Sequence, residues 1–429
     1  MNRYIMFFVF LIPLLYLYFL NERSDVVFLS FSMFIVQSCA FLFLTGSSSY
    51  SLSKIYYLFI YFFFGIVPII EYEKEIIYWG GEAFDDSTYI KANIIVFIIN
   101  IIYFITYNFF RAKIIPKGFV KIERRTKIMP ILLSLFCLMI CLYVNNFSLL
   151  SMIFRGGEFK ETVVMKSWLY SIIVTLFRFI PVYIFTYTLI TWNNSYIYKC
   201  VLFFIAIVCA SPFGVSRFMA GALYIPIIIV LFKNLLVGSR FSIIFLGFMI
   251  FVFPFLDNFR HFDSGKDISF TPNLDSYLSG HFDSYQSFLR VLEMKWISLG
   301  DQLLGSIFFF IPRSIWESKP IGTGAEIAEK ANYTFSNISA NFFAEGYVNF
   351  GLLGILIFVV FFSLVSSYMD SKYWCYIDDD NTQQNEPLYL TTVLFVIILM
   401  RGDLNVAINL YVSFVLAMLI SKYTVGVKI

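Results

Sequence analysis

The side chains able to do chemistry in this chain are few. Arg178 falls near the middle of an apolar stretch, and Arg217 follows Ser211-Pro-Phe-Gly-Val-Ser216. Arg313 stands within Ile311-Pro-Arg-Ser-Ile-Trp-Glu-Ser-Lys-Pro320, and Arg401 opens the tight Arg401-Gly-Asp403 turn. Arginine presents fixed, always-charged donors in a planar fork that matches the oxygens of a phosphate or diphosphate. At the rim of apolar segments such residues suit an anionic ligand at a membrane face; ordinary interface anchoring is the alternative for Arg217 and Arg401. Arg260 and Arg290 sit where an amphipathic loop helix uses arginine as a rim charge. An arginine at mid-bilayer costs about 2.5–3.5 kcal/mol on the insertion scale, and no span carries an Asp or Glu at the depth of Arg178. Its partner is then an anionic headgroup, a loop carboxylate dipping inward, or backbone carbonyls and water in a cavity.

For proton transfer the candidates are Glu345, just before an apolar run, and the two histidines His261 and His281. The histidines are twenty residues apart, with Asp263 near one and Asp283 near the other. That is not a His-x-x-x-His ligand pair, so no metal is expected. A histidine on a helix can equally be structural, and Glu345 an ordinary boundary residue. No Ser-His-Asp elbow, phosphate-binding glycine loop or paired-cysteine motif is present, and no cofactor is expected.

The elements that must position these groups are apolar. At 59% apolar and 21% aromatic residues, with a mean hydropathy of +0.79, the chain lies outside the globular range of roughly 45–50% apolar. It reads as an all-α polytopic membrane protein, a single membrane domain over 1–429. About twelve transmembrane helices are expected near 4–20, 26–45, 55–70, 92–110, 128–145, 168–190, 196–211, 217–236, 241–256, 348–366, 388–400 and 404–421. Segment 4–20 resembles a signal-peptide core, but 22–25 offers no small-residue cleavage site, so it reads as a retained first helix. A net charge of +3 is too small to point to nucleic acid.

Orientation follows from lysine and arginine in the connections. Segment 111–127 carries seven basic residues against the single acid Glu123, which makes it cytoplasmic. Counting spans from there puts both termini in the cytoplasm and the large loop, 257–347, on the far side. That loop should be partly helical. An amphipathic helix is expected over 274–296, an interfacial or re-entrant piece over 303–311, and a short helix opened by a capping box at Thr323-Gly-Ala-Glu326. It should fold back on the membrane face as a lid or wall.

Three local patterns carry a family resemblance. Pro312-Arg-Ser-Ile-Trp-Glu-Ser-Lys-Pro320, then Ser336-Asn-Ile-Ser339, then Glu345-Gly-Tyr-Val-Asn-Phe-Gly-Leu-Leu-Gly354 resemble the signature of Wzy-type O-antigen polymerases. The layout of spans with a large loop before the last ones is also similar. The resemblance implies a metal-independent membrane glycosyltransferase, acting on the periplasmic side of the bacterial inner membrane. It would join oligosaccharide repeat units carried on undecaprenyl diphosphate, with chain length set by a co-polymerase partner. Glu345 or His281 would take the acceptor proton, while Arg217, Arg313, Lys319 and Arg401, with Arg178, would bind the departing diphosphate. An O-antigen ligase, which moves the finished glycan to a lipid core, and a flippase for lipid-linked sugars are the competing readings.

Overall fold

The computed structural model describes residues 3–20, 25–45, 48–111, 127–154, 168–191, 196–232, 236, 238–253, 277–278, 280–377 and 387–426. Helix is the only extended regular structure among them. In chain order the helices are α1 (Arg3–Leu20), α2 (Val26–Leu44), α3 (Leu52–Glu73), α4 (Asp86–Phe109), α5 (Ile128–Val144), α6 (Leu149–Ile153), α7 (Trp168–Thr191) and α8 (Tyr196–Cys209). Then come α9 (Arg217–Leu231), α10 (Arg240–Val252), α11 (Ser284–Met294), α12 (Asp301–Ile307), α13 (Thr323–Lys330), α14 (Phe342–Ile377), α15 (Pro387–Arg401) and α16 (Leu404–Val425). Six helices are long and apolar enough to cross a membrane, namely α2, α3, α4, α7, α14 and α16; six more apolar helices are shorter.

The helix α3 is the axis of the bundle. Its apolar window is 94% buried, against 39–56% in the other five long helices. A helix apolar on every side is stable only where every side is covered, and α3 is covered by α2, α14 and α15. Midway it widens into a π-helical stretch, Ile60–Ile66. A Cβ on Gly65 would lie 2.6 Å from Ile35, so only glycine lets α2 approach there. The widened turn carries Phe63 against Phe282, with ring centroids 5.2 Å apart, and Phe64 edge-on to Phe343 at 5.3 Å. Those rings belong to the two segments that hold the polar residues of interest.

The bundle has two polar ends. At one, the buried Asp370 of α14 accepts the Leu52 and Ser53 amides at the start of α3, the Tyr107 hydroxyl at the end of α4 and the Tyr389 hydroxyl at the start of α15. Glu71 at the end of α3, Glu345 near the start of α14 and the α15–α16 turn lie at the opposite end. The described part of 257–347 gathers there, on the far side of the bundle from the end of α4 that leads into the basic connection.

Three local expectations change. Of the amphipathic helix expected over 274–296, of which 274–276 and 279 lie outside the described residues, the described part forms α11, Ser284–Met294, whose residues from Ser284 to Leu292 are all buried. It is clamped between α4, α14 and the π-helical stretch of α3, so it acts as a core helix of this end and not as a surface one. The capping box at Thr323 does not form: Gly322, at φ 109°, is the N-cap and makes no side-chain cap. The Gly324 amide is instead capped from α16 by Asp403, and Glu326 accepts Gln302 Nε2 at 2.6 Å. Tertiary donors and acceptors outcompeted the local ones. Third, α14 starts at Phe342, ahead of the expected 348, and is broken at Phe350 and Gly351, whose φ is 64°. The break separates a short arm carrying Glu345 from the long apolar part.

That break explains the glycines of the Glu345-to-Gly354 pattern. A Cβ on Gly354 would sit 1.9 Å from the Gly346 carbonyl oxygen, so the arm folds directly onto the helix that follows. Peptide groups freed by the break are satisfied from the loop. Asn349 accepts the Leu303 amide at 2.8 Å and donates to the Glu345 carbonyl at 2.8 Å, while the Val348 carbonyl accepts the Ser298 amide at 2.6 Å. The segment expected to be interfacial forms α12 and a turn that leaves Leu304, Ile307, Phe310 and Ile315 exposed.

Candidate functional site

Arg401 ends α15, and its turn aims the guanidinium at the segment before α11. Its Nε donates to the His281 carbonyl at 2.7 Å, and one terminal nitrogen reaches the Gly280 carbonyl at 3.2 Å and Asp283 Oδ1 at 3.4 Å. The second oxygen of Asp283 accepts Trp79 Nε1 at 3.0 Å and the Ser339 amide at 3.2 Å. The buried Asp283 side chain thus ties Arg401, Trp79 and the Ser339 amide to one point. Arg217, the first residue of α9, donates to the Phe253 carbonyl at 3.0 Å and lies 4.4 Å above the Phe253 ring. Arg401 lies 5.5 Å above Phe218, whose ring is 5.4 Å from that of Phe253. The half-buried imidazole of His281 meets the Phe253 ring edge-on at 6.4 Å. Three residues expected from sequence, Arg217, His281 and Arg401, thus converge on one aromatic pair.

On the other side of the Arg401–Asp403 turn lie two carboxyls, the buried Glu345 and the half-buried Asp403. Glu345 accepts the Thr323 hydroxyl at 2.7 Å and the Leu404 amide at 2.8 Å. Asp403 accepts the Gly324 amide at 3.0 Å and the Asn405 amide at 2.9 Å. The donors come from the first turns of α13 and α16, where unsatisfied N–H groups and the helix dipole both favour negative charge. Both oxygens of Glu345 are engaged and the residue is 1% exposed, so in this conformation it is closed to an incoming hydroxyl.

Arg313 and Lys319 are brought together with each other, in a separate turn. The terminal nitrogens of the exposed Arg313 donate to the Lys319 and Pro320 carbonyls at 2.6 and 2.9 Å. Lys319 Nζ reaches back to the Phe309 and Ile311 carbonyls at 2.7 and 3.0 Å. Both side chains tie the 309–320 turn shut, and that turn forms one wall of an open groove of about 500 Å³ facing Glu326, Glu329 and Lys330 of α13.

Arg178 lies within α7, partly buried, with Nε enclosed and without a hydrogen-bond partner among the described residues. No described carboxylate pairs with it. Arg290 is a tie of the fold, bonded to Tyr333 Oη and the Glu82 carbonyl, both at 2.8 Å, and paired with Glu293. Arg260 and His261 lie outside the described residues.

Asp283, Asp403 and Thr323 were not singled out by sequence as parts of a site. Asp403 had a local signal, since an aspartate immediately before an apolar run is an N-cap pattern. Asp283 and Thr323 had none, because their partners are 118 and 22 residues away.

Six long apolar helices, with a polar layer at each end of their bundle, make the chain a multi-pass helical membrane protein. Comparison with protein-family models, with curated proteins and with solved structures finds no match to the chain.

Proposed function

We propose that this protein polymerises oligosaccharide repeat units carried on undecaprenyl diphosphate. In this reading it lies in a bacterial inner membrane, crosses it about twelve times, and keeps both termini in the cytoplasm. The observation that carries the reading is the convergence of Arg217, Arg401 and His281 from three separate segments at the bundle end away from the basic 111–127 connection. A lipid-tethered diphosphate is an anion confined to the membrane face, and two arginines fixed there are placed to receive it. The acceptor hydroxyl attacks the anomeric carbon of the donor glycan while the bond to the diphosphate oxygen breaks. His281, the more open of the two candidate bases, takes the hydroxyl proton. Arg217 and Arg401 stabilise charge on the leaving diphosphate, with Arg178, Arg313 and Lys319 as further cations along the lipid carrier's path. Lipid-linked glycans are the substrates, and a co-polymerase partner sets chain length.

The test is complementation of a deletion strain. The Arg217→Ala/Arg401→Ala double variant and His281→Ala, at normal membrane levels, should leave only single repeat units on the lipid core where wild type makes a ladder. An unchanged ladder in both removes this site. Bare core with lipid-linked polymer from the deletion marks a ligase, and repeat units trapped inside mark a flippase. A reporter fused at Asn332 should read periplasmic, and a cytoplasmic signal overturns the orientation.

A further inference from the structure

We infer that α12 and the turn after it, residues 301–315, form a lipid-contacting wall. Its apolar side rests in the headgroup–acyl boundary of the bilayer that the long helices cross, and its other side packs on α14 and α16. The inference stands apart from the diphosphate reading and gives Arg313 and Lys319 a task of their own.

The polarity of α12 is inverted. Its buried residues are Gln302, Gly305 and Ser306, whereas Leu304, Ile307 and Phe308 are exposed. Their spacing of three and four puts those three on one helical face. In water the sorting runs the other way, with leucine and isoleucine inside and glutamine and serine outside. The buried polar groups are satisfied within the fold: Gln302 Nε2 donates to Glu326 at 2.6 Å and the Ser306 hydroxyl to the Gln302 carbonyl at 2.9 Å. A Cβ on Gly305 would lie 3.2 Å from the Pro320 ring, so the inward side is closely packed. The outward face continues past the helix through Phe310, whose ring centroid is 6.1 Å from that of Phe308, to the exposed Ile315. A contiguous exposed apolar face marks a contact with lipid or with protein.

That the cover is lipid follows from where α12 starts. Asn349 holds the Leu303 amide at 2.8 Å, and a Cβ on Gly300 would lie 3.1 Å from the Phe350 ring. These contacts fix the start of α12 at the break in α14, where the long apolar part of that helix begins and Leu352 and Leu353 are exposed. The outward face of α12 is therefore continuous with that of a helix long and apolar enough to span. The backbone suits the same surroundings, because non-helical chain is tolerated beside hydrocarbon only where its peptide groups are satisfied internally. Lys319 Nζ donates to the Phe309 and Ile311 carbonyls, and Arg313 to the Lys319 and Pro320 carbonyls. Charge gathers on the other side of the turn, where Glu317, Glu326, Glu329 and Lys330 edge the groove. An element apolar on one side and charged on the other lies in the plane of the interface.

The experiment uses the full-length protein in nanodiscs of phosphatidylethanolamine and phosphatidylglycerol, with the photoreactive amino acid benzoylphenylalanine placed in turn at Phe310, Ile315, Leu353 and Glu329. All four positions are exposed, so the probe displaces no core packing. After illumination, intact-protein mass spectrometry should show the mass gain of one phospholipid at Phe310 and Ile315, as at Leu353 on α14, and none at Glu329 in the groove. A yield at Phe310 and Ile315 no higher than at Glu329 overturns the inference, and so does cross-linking of those two positions to a second copy of the chain. The task of Lys319 is read with the probe at Phe310. Lys319→Met leaves the Phe309 and Ile311 carbonyls without their donor and should lower the lipid adduct about fivefold or more, while Lys319→Arg should restore it. An unchanged yield in Lys319→Met overturns that task. No substrate is needed, so failure here and failure of the polymerase reading are separate results.

Discussion

Each end of the bundle holds a buried carboxylate on a helix start, yet they do different things. At the Asp370 end the acceptor takes two amides of α3 and two tyrosine hydroxyls. Every donor is neutral and comes from a helix that must be aligned, so the group is a clamp. At the Arg401 end the Asp283 carboxylate pairs with an arginine, with a second arginine and a half-buried imidazole across one aromatic pair. Charges of both signs, held by backbone carbonyls and partly open, are arranged for a ligand. Burial of a carboxylate alone therefore does not mark a site; the company it keeps does.

Three measurements would break or sharpen that contrast. The largest effect is expected for Arg401→Ala: polymer formation per folded protein falls about 100-fold or more, as when one preorganised donor to a developing oxyanion is removed, beyond the stability lost when Asp283 is left without its cation. Loss of activity only in proportion to loss of folded protein would make this end a clamp too. Next comes Asp370→Ala, which leaves two amides and two hydroxyls without their acceptor. It should destabilise the detergent-solubilised protein by about 2–4 kcal/mol while activity per folded protein is retained. A catalytic defect at normal stability would erase the distinction. The smallest effect is that of Arg313→Ala, which removes two hydrogen bonds to carbonyls in an exposed turn and should change stability by about 1 kcal/mol. Polymer laddering in that variant tests whether the turn binds diphosphate or only closes itself.

How far the molecule was legible from sequence can be followed residue by residue. The apolar segments were plain, because about 20 residues without charge can satisfy their backbone in lipid only as helix. Arg217 and Arg401 were legible as cations at segment ends. The enclosure of Glu345 was not, since it depends on Thr323 and Leu404 arriving from two other helices. Nor was the burial of α11. Its three-and-four spacing fits a surface helix as well as one clamped on every side, and the Gln286 and Ser287 side chains are met in the interior by Glu71, the Ile76 carbonyl and Asn341.

What the sequence by itself determined is the class: a chain this apolar, with most of its charges gathered in the connections, folds as helices suited to a membrane. Which of those charges meet was decided only by tertiary structure. Helix formation follows local periodicity, whereas the pairing of Arg401 with Asp283, and of Glu345 with the start of α16, requires segments tens to more than a hundred residues apart to pack in one register.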